Sequence, residues 1–159
     1  MEGSWYYQQV DLGFNYRMTD LQGALGASQV DRLTHYVARR HELAKRYDIL
    51  LKNLPVVTPF QHRDGYSAFH LYVIRLKLDQ ISSSHLEVFE ELRSKEIFVN
   101  LHYIPVHTQP YYQRLGFKSG DFPEAEKYYS EAISIPLFPS LKESDQDFVV
   151  KSLVEALAV

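Results

Sequence analysis

Two stretches of the chain hold most of the side chains able to do chemistry. "GFNYRMTD" (13–20) sets Asn15, Tyr16 and Arg17 directly before a helix start at Thr19. Unpaired backbone amides and the helix dipole favour an anion at such a place. An Asn amide beside an Arg guanidinium suits a phosphate or a carboxylate. The same residues also suit a plain capped turn, with Asn15 in the left-handed region and Arg17 paired to Asp11 or Asp20. "HYIPVHTQPYY" (102–112) gathers His102, Tyr103, His107, Tyr111 and Tyr112 around two prolines. Rigid loops at strand ends are frequent homes for sites. His102 and His107 stand five residues apart with no carboxylate close by in sequence, which matches no established ligand spacing, so no metal is expected. The stretch reads as a substrate-lining loop, with packed surface aromatics as the alternative. His70, within "FHLYVIRL", reads as a hydrogen-bonded strand residue. Arg39, Arg40, His41, Lys45 and Arg46 read as the solvated face of a helix. There is no P-loop, nucleophile elbow, HExxH or glycine-rich dinucleotide fingerprint.

The elements that must position these residues follow from periodicity and capping. Thr19-Asp20-Leu21-Gln22 is a capping box. Leu21, Leu25, Val30, Leu33 and Val37, then Leu43, Tyr47, Leu50, Leu51 and Leu54, predict two consecutive helices or one bent helix ending before Pro55. The apolar face rotates across "ARRHE" (38–42), and Glu42 stands four residues before Arg46 as a surface pair. Glycines inside a helix cost ~1 kcal/mol each against alanine, so Gly23 and Gly26, with Ala24 and Ala27, imply close approach to a neighbour. "VVTPFQHRDGYS" (56–67) reads as a loop, and 68–78, 97–103 and 132–138 read as strands, the last interrupted by Pro136. Ser84 and Glu87 form a second capping box for a helix to about Lys95. A short helix is expected over 109–116 and another from Pro123. Ser144, with Asp145 and Asp147, is expected to cap a final one. The result is an α+β class: long N-terminal helices plus a three-stranded, mostly antiparallel sheet covered by helices.

Length and composition bound the rest. At 159 residues with 45% hydrophobic and 14% aromatic content, the chain can bury a core. A net charge of −3 gives no reason to expect nucleic acid or an anionic membrane as partner. No stretch approaches the ~18 apolar residues of a membrane span. The absence of cysteine excludes disulfides and thiolate chemistry. The first residues do not read as a signal peptide, and a cytoplasmic protein is expected.

In one order along the chain, "LGFNYRMTDLQGALGASQVDRL", "RRHELAKRYDILLKNLP", "HYIPVHTQPYYQRLGF" and "DFPEAEKYYSEAISIPLFPSL" resemble the C-terminal part of the DegT/DnrJ/EryC1/StrS sugar aminotransferases. "SAFHLYVIRL" and "NLHYIPVHTQPYY" look like the branch serving the pseudaminic acid pathway. That branch aminates the C4 ketone of a UDP-linked 4-keto-6-deoxy-N-acetylhexosamine with glutamate as donor. The resemblance implies the small C-terminal domain of a type I enzyme dependent on pyridoxal 5′-phosphate, working as a homodimer. Residues 1–55 would link to a cofactor domain and 56–159 would form the small domain. Asn15 would reach the cofactor phosphate of the partner subunit, and Tyr103 and His107 would line the nucleotide-sugar side. Arg17 and His70 are further candidates without a fixed role. The family's Schiff-base lysine lies before the Asn-Tyr-Arg motif, where this chain has no lysine, so no catalytic residue is expected here. The chain is expected to be the C-terminal two-fifths of such an enzyme and inactive alone. The alternative is a non-catalytic dimerisation or interaction module derived from that family.

Overall fold

The computed structural model of the chain describes residues 11, 13, 14 and 16–158. They fall into two compact units, one ending at Thr34 and one starting at His35. The first carries helix α1 (Asp20–Val30). Its capping box is formed: Thr19 Oγ1 accepts from the Gln22 N–H at 3.3 Å, and Gln22 Oε1 accepts from the Thr19 N–H at 3.0 Å. None of its residues is buried, and nothing lies within 4 Å of where a Cβ would stand at Gly23 or Gly26.

Helix α2 (Leu33–Leu50) follows after a turn at Asp31 and Arg32, closed by the Arg32 N–H on the Gln29 carbonyl at 3.1 Å. The break therefore lies ahead of the expected one at 38–42. That stretch stays helical because its apolar rotation is absorbed by side-chain partners. Arg39 pairs with Glu42 at 2.8 Å, and Arg40 is drawn onto loop carbonyls. The expected Glu42–Arg46 pair is replaced, since Arg46 reaches Asp147 at 2.7 Å and Glu143 at 3.6 Å.

The sheet is antiparallel with order β1-β2-β3: β1 (Val56–Val57), β2 (Tyr72–Leu76) and β3 (Ala132–Ile135). Val56 pairs with Leu76, and Ile74 with Ile133. Tyr72, Ile74 and Leu76 are buried while Val73 and Arg75 between them are half-buried, the alternation a pleated strand imposes. Three strands were expected and three are found, but not the same three. Val56–Val57, expected as loop, becomes the edge strand, with the Lys77 N–H on the Pro55 carbonyl at 2.9 Å extending the pairing. The 97–103 segment, expected as a strand, makes one bridge, Asn100 to Ser134. It goes no further because Asn100 folds its own Oδ1 onto the Leu101 N–H at 2.8 Å. Strand β2 starts four residues later than expected: Phe69 sits at φ +46°, outside any strand conformation. His70 is consequently exposed in the bend before the strand. Strand β3 stops before Pro136, whose missing N–H ends a ladder.

Helices α3 (His85–Ser94), α4 (Pro110–Gln113), α5 (Pro123–Glu131) and α6 (Glu143–Leu157) complete the order. The second capping box holds, with Ser84 Oγ accepting from the Glu87 N–H at 3.3 Å. Helix α6 begins one residue before Ser144, and Asp145 Oδ2 accepts from the Lys142 N–H at 3.3 Å. One core unites Leu43 and Tyr47 of α2, the inner face of β2 and β3, Val88 and Leu92 of α3, and Val149 and Leu153 of α6. Two phenols sit in it. Tyr47 donates to the Pro136 carbonyl at 3.1 Å and Tyr72 donates to Asp48 Oδ1 at 2.5 Å, their rings 5.1 Å apart. A buried hydroxyl without such a partner is costly, which accounts for both bonds.

Candidate functional site

The segment from Asn100 to Glu126 leaves β3's edge, makes a proline-stiffened loop and returns through α5. At its start, His102 Nδ1 lies 2.7 Å from Ser134 Oγ on β3. Tyr103 follows, 74% exposed, with its ring packed edge-on to His102 at 4.7 Å. It lines an open pocket of about 360 Å³ with Phe89, Asn100, Leu101, Ile104 and Gln109. Pro105 then opens one tight turn, closed by the Thr108 hydroxyl and N–H on the Pro105 carbonyl at 2.7 and 3.0 Å. That turn sends His107 inward.

His107 is buried, with its Nε2 2.8 Å from Glu126 Oε1 on α5. An ionised carboxylate only accepts, so the proton of this contact belongs to His107 Nε2. The ring tilts against Phe122 at 4.9 Å. With Tyr112, Phe117 and Phe122 it lines a second open pocket, also about 360 Å³ and almost wholly apolar. Glu126 collects two further donors: the Gly120 N–H on Oε1 at 2.7 Å and the Ser119 hydroxyl on Oε2 at 2.9 Å. His107 first, then Gly120 and Ser119, hold its carboxyl down at about 2, because each bond favours the charged form. Gly120 lies at φ +92°, a conformation that a side chain resists, and this lets its amide turn toward the carboxylate.

The sequence-predicted residues are thus not brought to one point. Tyr103 and His107 line different pockets of the same loop. His70 is exposed, and its carbonyl accepts from Arg40 Nη1 at 3.1 Å. Arg17 is exposed at the surface. Asn15 lies outside the described residues. Among the described residues, no three His, Asp or Glu side chains converge as a metal site. Two partnerships were missed from sequence. Glu126 is separated from His107 by 19 positions, and nothing local in the sequence marks it as a partner. The run from Arg39 to Arg46, expected as a solvated face, instead staples α2 to distant backbone. Arg40 Nη1 reaches the Phe69 and Leu137 carbonyls at 2.8 and 2.9 Å, and His41 Nε2 lies 2.8 Å from the Ser67 carbonyl. Of the basic residues in that run, only Lys45 is exposed.

This architecture is the small-domain fold of pyridoxal-phosphate-dependent aminotransferases. Solved sugar aminotransferases match it over almost the whole chain. A putative sugar aminotransferase from Streptococcus pneumoniae, Spr1654, superposes with a TM-score of 0.85 at 27% identity over 98% of this chain and 39% of its own. It has been solved in apo, PMP and PLP forms. Helicobacter pylori PseC, an aminotransferase involved in the biosynthesis of pseudoaminic acid, superposes at 0.85 and 25% identity, over 99% of this chain and 42% of that one. The spore coat polysaccharide biosynthesis protein SpsC of Bacillus subtilis is 40% identical over 154 residues, 95% of this chain and 40% of that protein. Residues 2–154 match the DegT/DnrJ/EryC1/StrS aminotransferase family. The chain belongs to that family, and it spans about 40% of the length of the relatives it matches.

The family's cofactor needs an amine that can be held neutral, and burial or a neighbouring cation is what supplies one. No lysine of this chain is buried. The most enclosed by charge, Lys95, sits between Glu155 at 2.6 Å and Glu91 at 3.0 Å, which raises its pKa and keeps it protonated.

Proposed function

We propose that this chain is the C-terminal portion of a pyridoxal-phosphate-dependent aminotransferase. The intact enzyme moves an amino group from glutamate to the C4 ketone of a nucleotide-linked keto-deoxy sugar, in bacterial surface-sugar synthesis. The observation that carries the reading is the likeness of 98% of the chain to 39% of a putative sugar aminotransferase at a TM-score of 0.85. The involvement of PseC in pseudoaminic acid biosynthesis and of SpsC in spore coat polysaccharide biosynthesis supports a surface-sugar substrate. In this reading residues 1–55 link to a cofactor domain, and 56–159 form the small domain of a cytoplasmic homodimer.

No catalytic step falls to this chain, in keeping with its lysines. Its contributions are binding and orientation. Asn15 donates its amide to the cofactor phosphate of the partner subunit. Tyr103 offers an exposed ring and hydroxyl to the nucleotide sugar, and His107 shapes the same loop from inside. Arg17 and His70 stand as secondary candidates without an assigned role.

The test is reconstitution. The 159-residue chain, a separately produced lysine-bearing cofactor domain, and the two mixed are each given pyridoxal phosphate, glutamate and a UDP-4-keto sugar. Amination is read by mass spectrometry. Product is expected only from the mixture. Product from the 159-residue chain alone, or borohydride trapping of pyridoxal on one of its lysines, would overturn the proposal.

A further inference from the structure

The loop bearing Tyr103 is fixed to the scaffold at two places, and both fixings are histidines. His102 holds Ser134 on β3, and His107 holds Glu126 on α5, with Tyr103 and Pro105 between them. The second fixing is the richer one. Glu126 lies on a regular helix, and its half-buried carboxylate receives donors from three positions of the returning chain: His107, Ser119 and Gly120. One side chain therefore sets both the entry of the loop, through His107, and its exit, through Ser119 and Gly120. Charge-assisted bonds of this kind are about twice as strong as neutral ones. Pro105 and the tight turn at Thr108 flank His107 and Pro110 follows, so the constraint passes in both directions along a stiff backbone.

We propose that Glu126 is the positioning residue of this site: by tying His107, Ser119 and Gly120 to α5, it sets where Tyr103 is presented to the nucleotide sugar. That Tyr103 meets this ligand rests on the proposed function; the tethering itself does not. Glu126 touches neither substrate nor cofactor in this reading and acts through the loop.

The geometry distinguishes two substitutions. His107 and Gly120 both address Oε1, and Ser119 alone addresses Oε2. In Glu126→Gln, the amide oxygen takes the Oε1 place and the Ser119 hydroxyl turns to accept from the new NH₂, so all three bonds survive without the charge. Glu126→Ala removes all three.

The experiment is residue-resolved amide exchange by NMR on the 159-residue chain. In Glu126→Ala the Gly120 amide exchanges roughly tenfold faster or more, the range for losing a bond to a charged group. The Thr108 and Gln109 amides, bonded only within their own turn, accelerate with it by about threefold or more, as members of one opening unit. Glu126→Gln, which keeps the bonds but not the charge, recovers part of the protection of all three, each exchanging more slowly than in Glu126→Ala. Glu126→Asp, which keeps the charge but withdraws it by one carbon, carries the same expectation as Glu126→Ala if the latter does not fold. Acceleration confined to Gly120, with Thr108 and Gln109 unchanged, overturns the proposal. So does a Glu126→Gln chain whose loop exchanges no more slowly than that of Glu126→Ala. The outcome is independent of turnover: absence of keto-sugar amination in the reconstituted enzyme refutes the proposed function and leaves the tether standing.

Discussion

Replacing Arg40 by alanine should unfasten the 66–71 bend from α2. One nitrogen, Nη1, serves three carbonyls: Phe69 at 2.8 Å, Leu137 at 2.9 Å and His70 at 3.1 Å. It has two hydrogens, so one is shared, and the site is worth about two charge-assisted bonds rather than three. At about 1.5 kcal/mol each, the low end for a half-exposed cation, that is about 3 kcal/mol. The His70 carbonyl is exposed and recovers a water, whereas the part-buried Phe69 and Leu137 carbonyls recover little. The net expectation is a loss of about 2–3 kcal/mol. In a chain of this length that lowers the melting temperature by about 5–10 °C. Arg40→Lys should lose most of it, because the ammonium ends short of the Nη1 position and lacks the planar fork. Urea unfolding followed by circular dichroism gives the value. A loss under about 0.5 kcal/mol for Arg40→Ala would show that the Phe69 bend holds itself, and the reasoning from carbonyl capture would be refuted.

Leu153→Ala, at a fully buried site of α6, should cost about 2–5 kcal/mol in the same assay, through lost transfer energy plus the cavity left behind. Ser84→Ala removes the cap of α3 and should cost about 1 kcal/mol, read as faster amide exchange in the first turn of that helix. The Glu126 carboxyl is held in the folded chain at about 2, below its ordinary 4.5, so its stabilisation is complete above pH 4.5 and is lost as pH falls toward 2. The melting-temperature gap between the parent chain and Glu126→Ala should therefore be flat from pH 8 to about pH 5 and narrow on further acidification, because the neutral carboxyl keeps acceptors but not the charge assistance. A gap that stays constant to pH 2.5 would contradict the carboxylate tether.

What could be read from sequence was what is decided within a few residues. The capping boxes at Thr19–Gln22 and Ser84–Glu87 and the prolines at Pro123 and Pro136 act on their own neighbours, and the structure has them as read. Ile97 and Val99 are buried with Phe98 exposed between them, so the alternation was legible there too. What failed was pairing, because a ladder needs a partner, and Ser134 offers Asn100 only one bridge. Val56–Val57 shows the converse: two residues beside a proline become a strand because Leu76 is opposite. The site divides the same way. The loop's aromatic and histidine content stood out in "HYIPVHTQPYY", but the burial of His107 depends on Glu126 and could be seen only once the fold brought them together. Arg40 is similar: a cation on a helix looks solvated until distant carbonyls arrive.

The paired phenols under the sheet give the chain an optical property. Burial pushes the Tyr47 and Tyr72 hydroxyls well above the usual tyrosine range, with the Asp48 bond adding to the effect at Tyr72. In alkali these two hydroxyls keep their protons, and their rings stay dark in the phenolate band, for as long as the core is intact. Both can ionise only by leaving the core, so alkali withdraws stability as pH climbs past about 10. A slow rise in that band then counts molecules losing their interior, one pair of rings at a time.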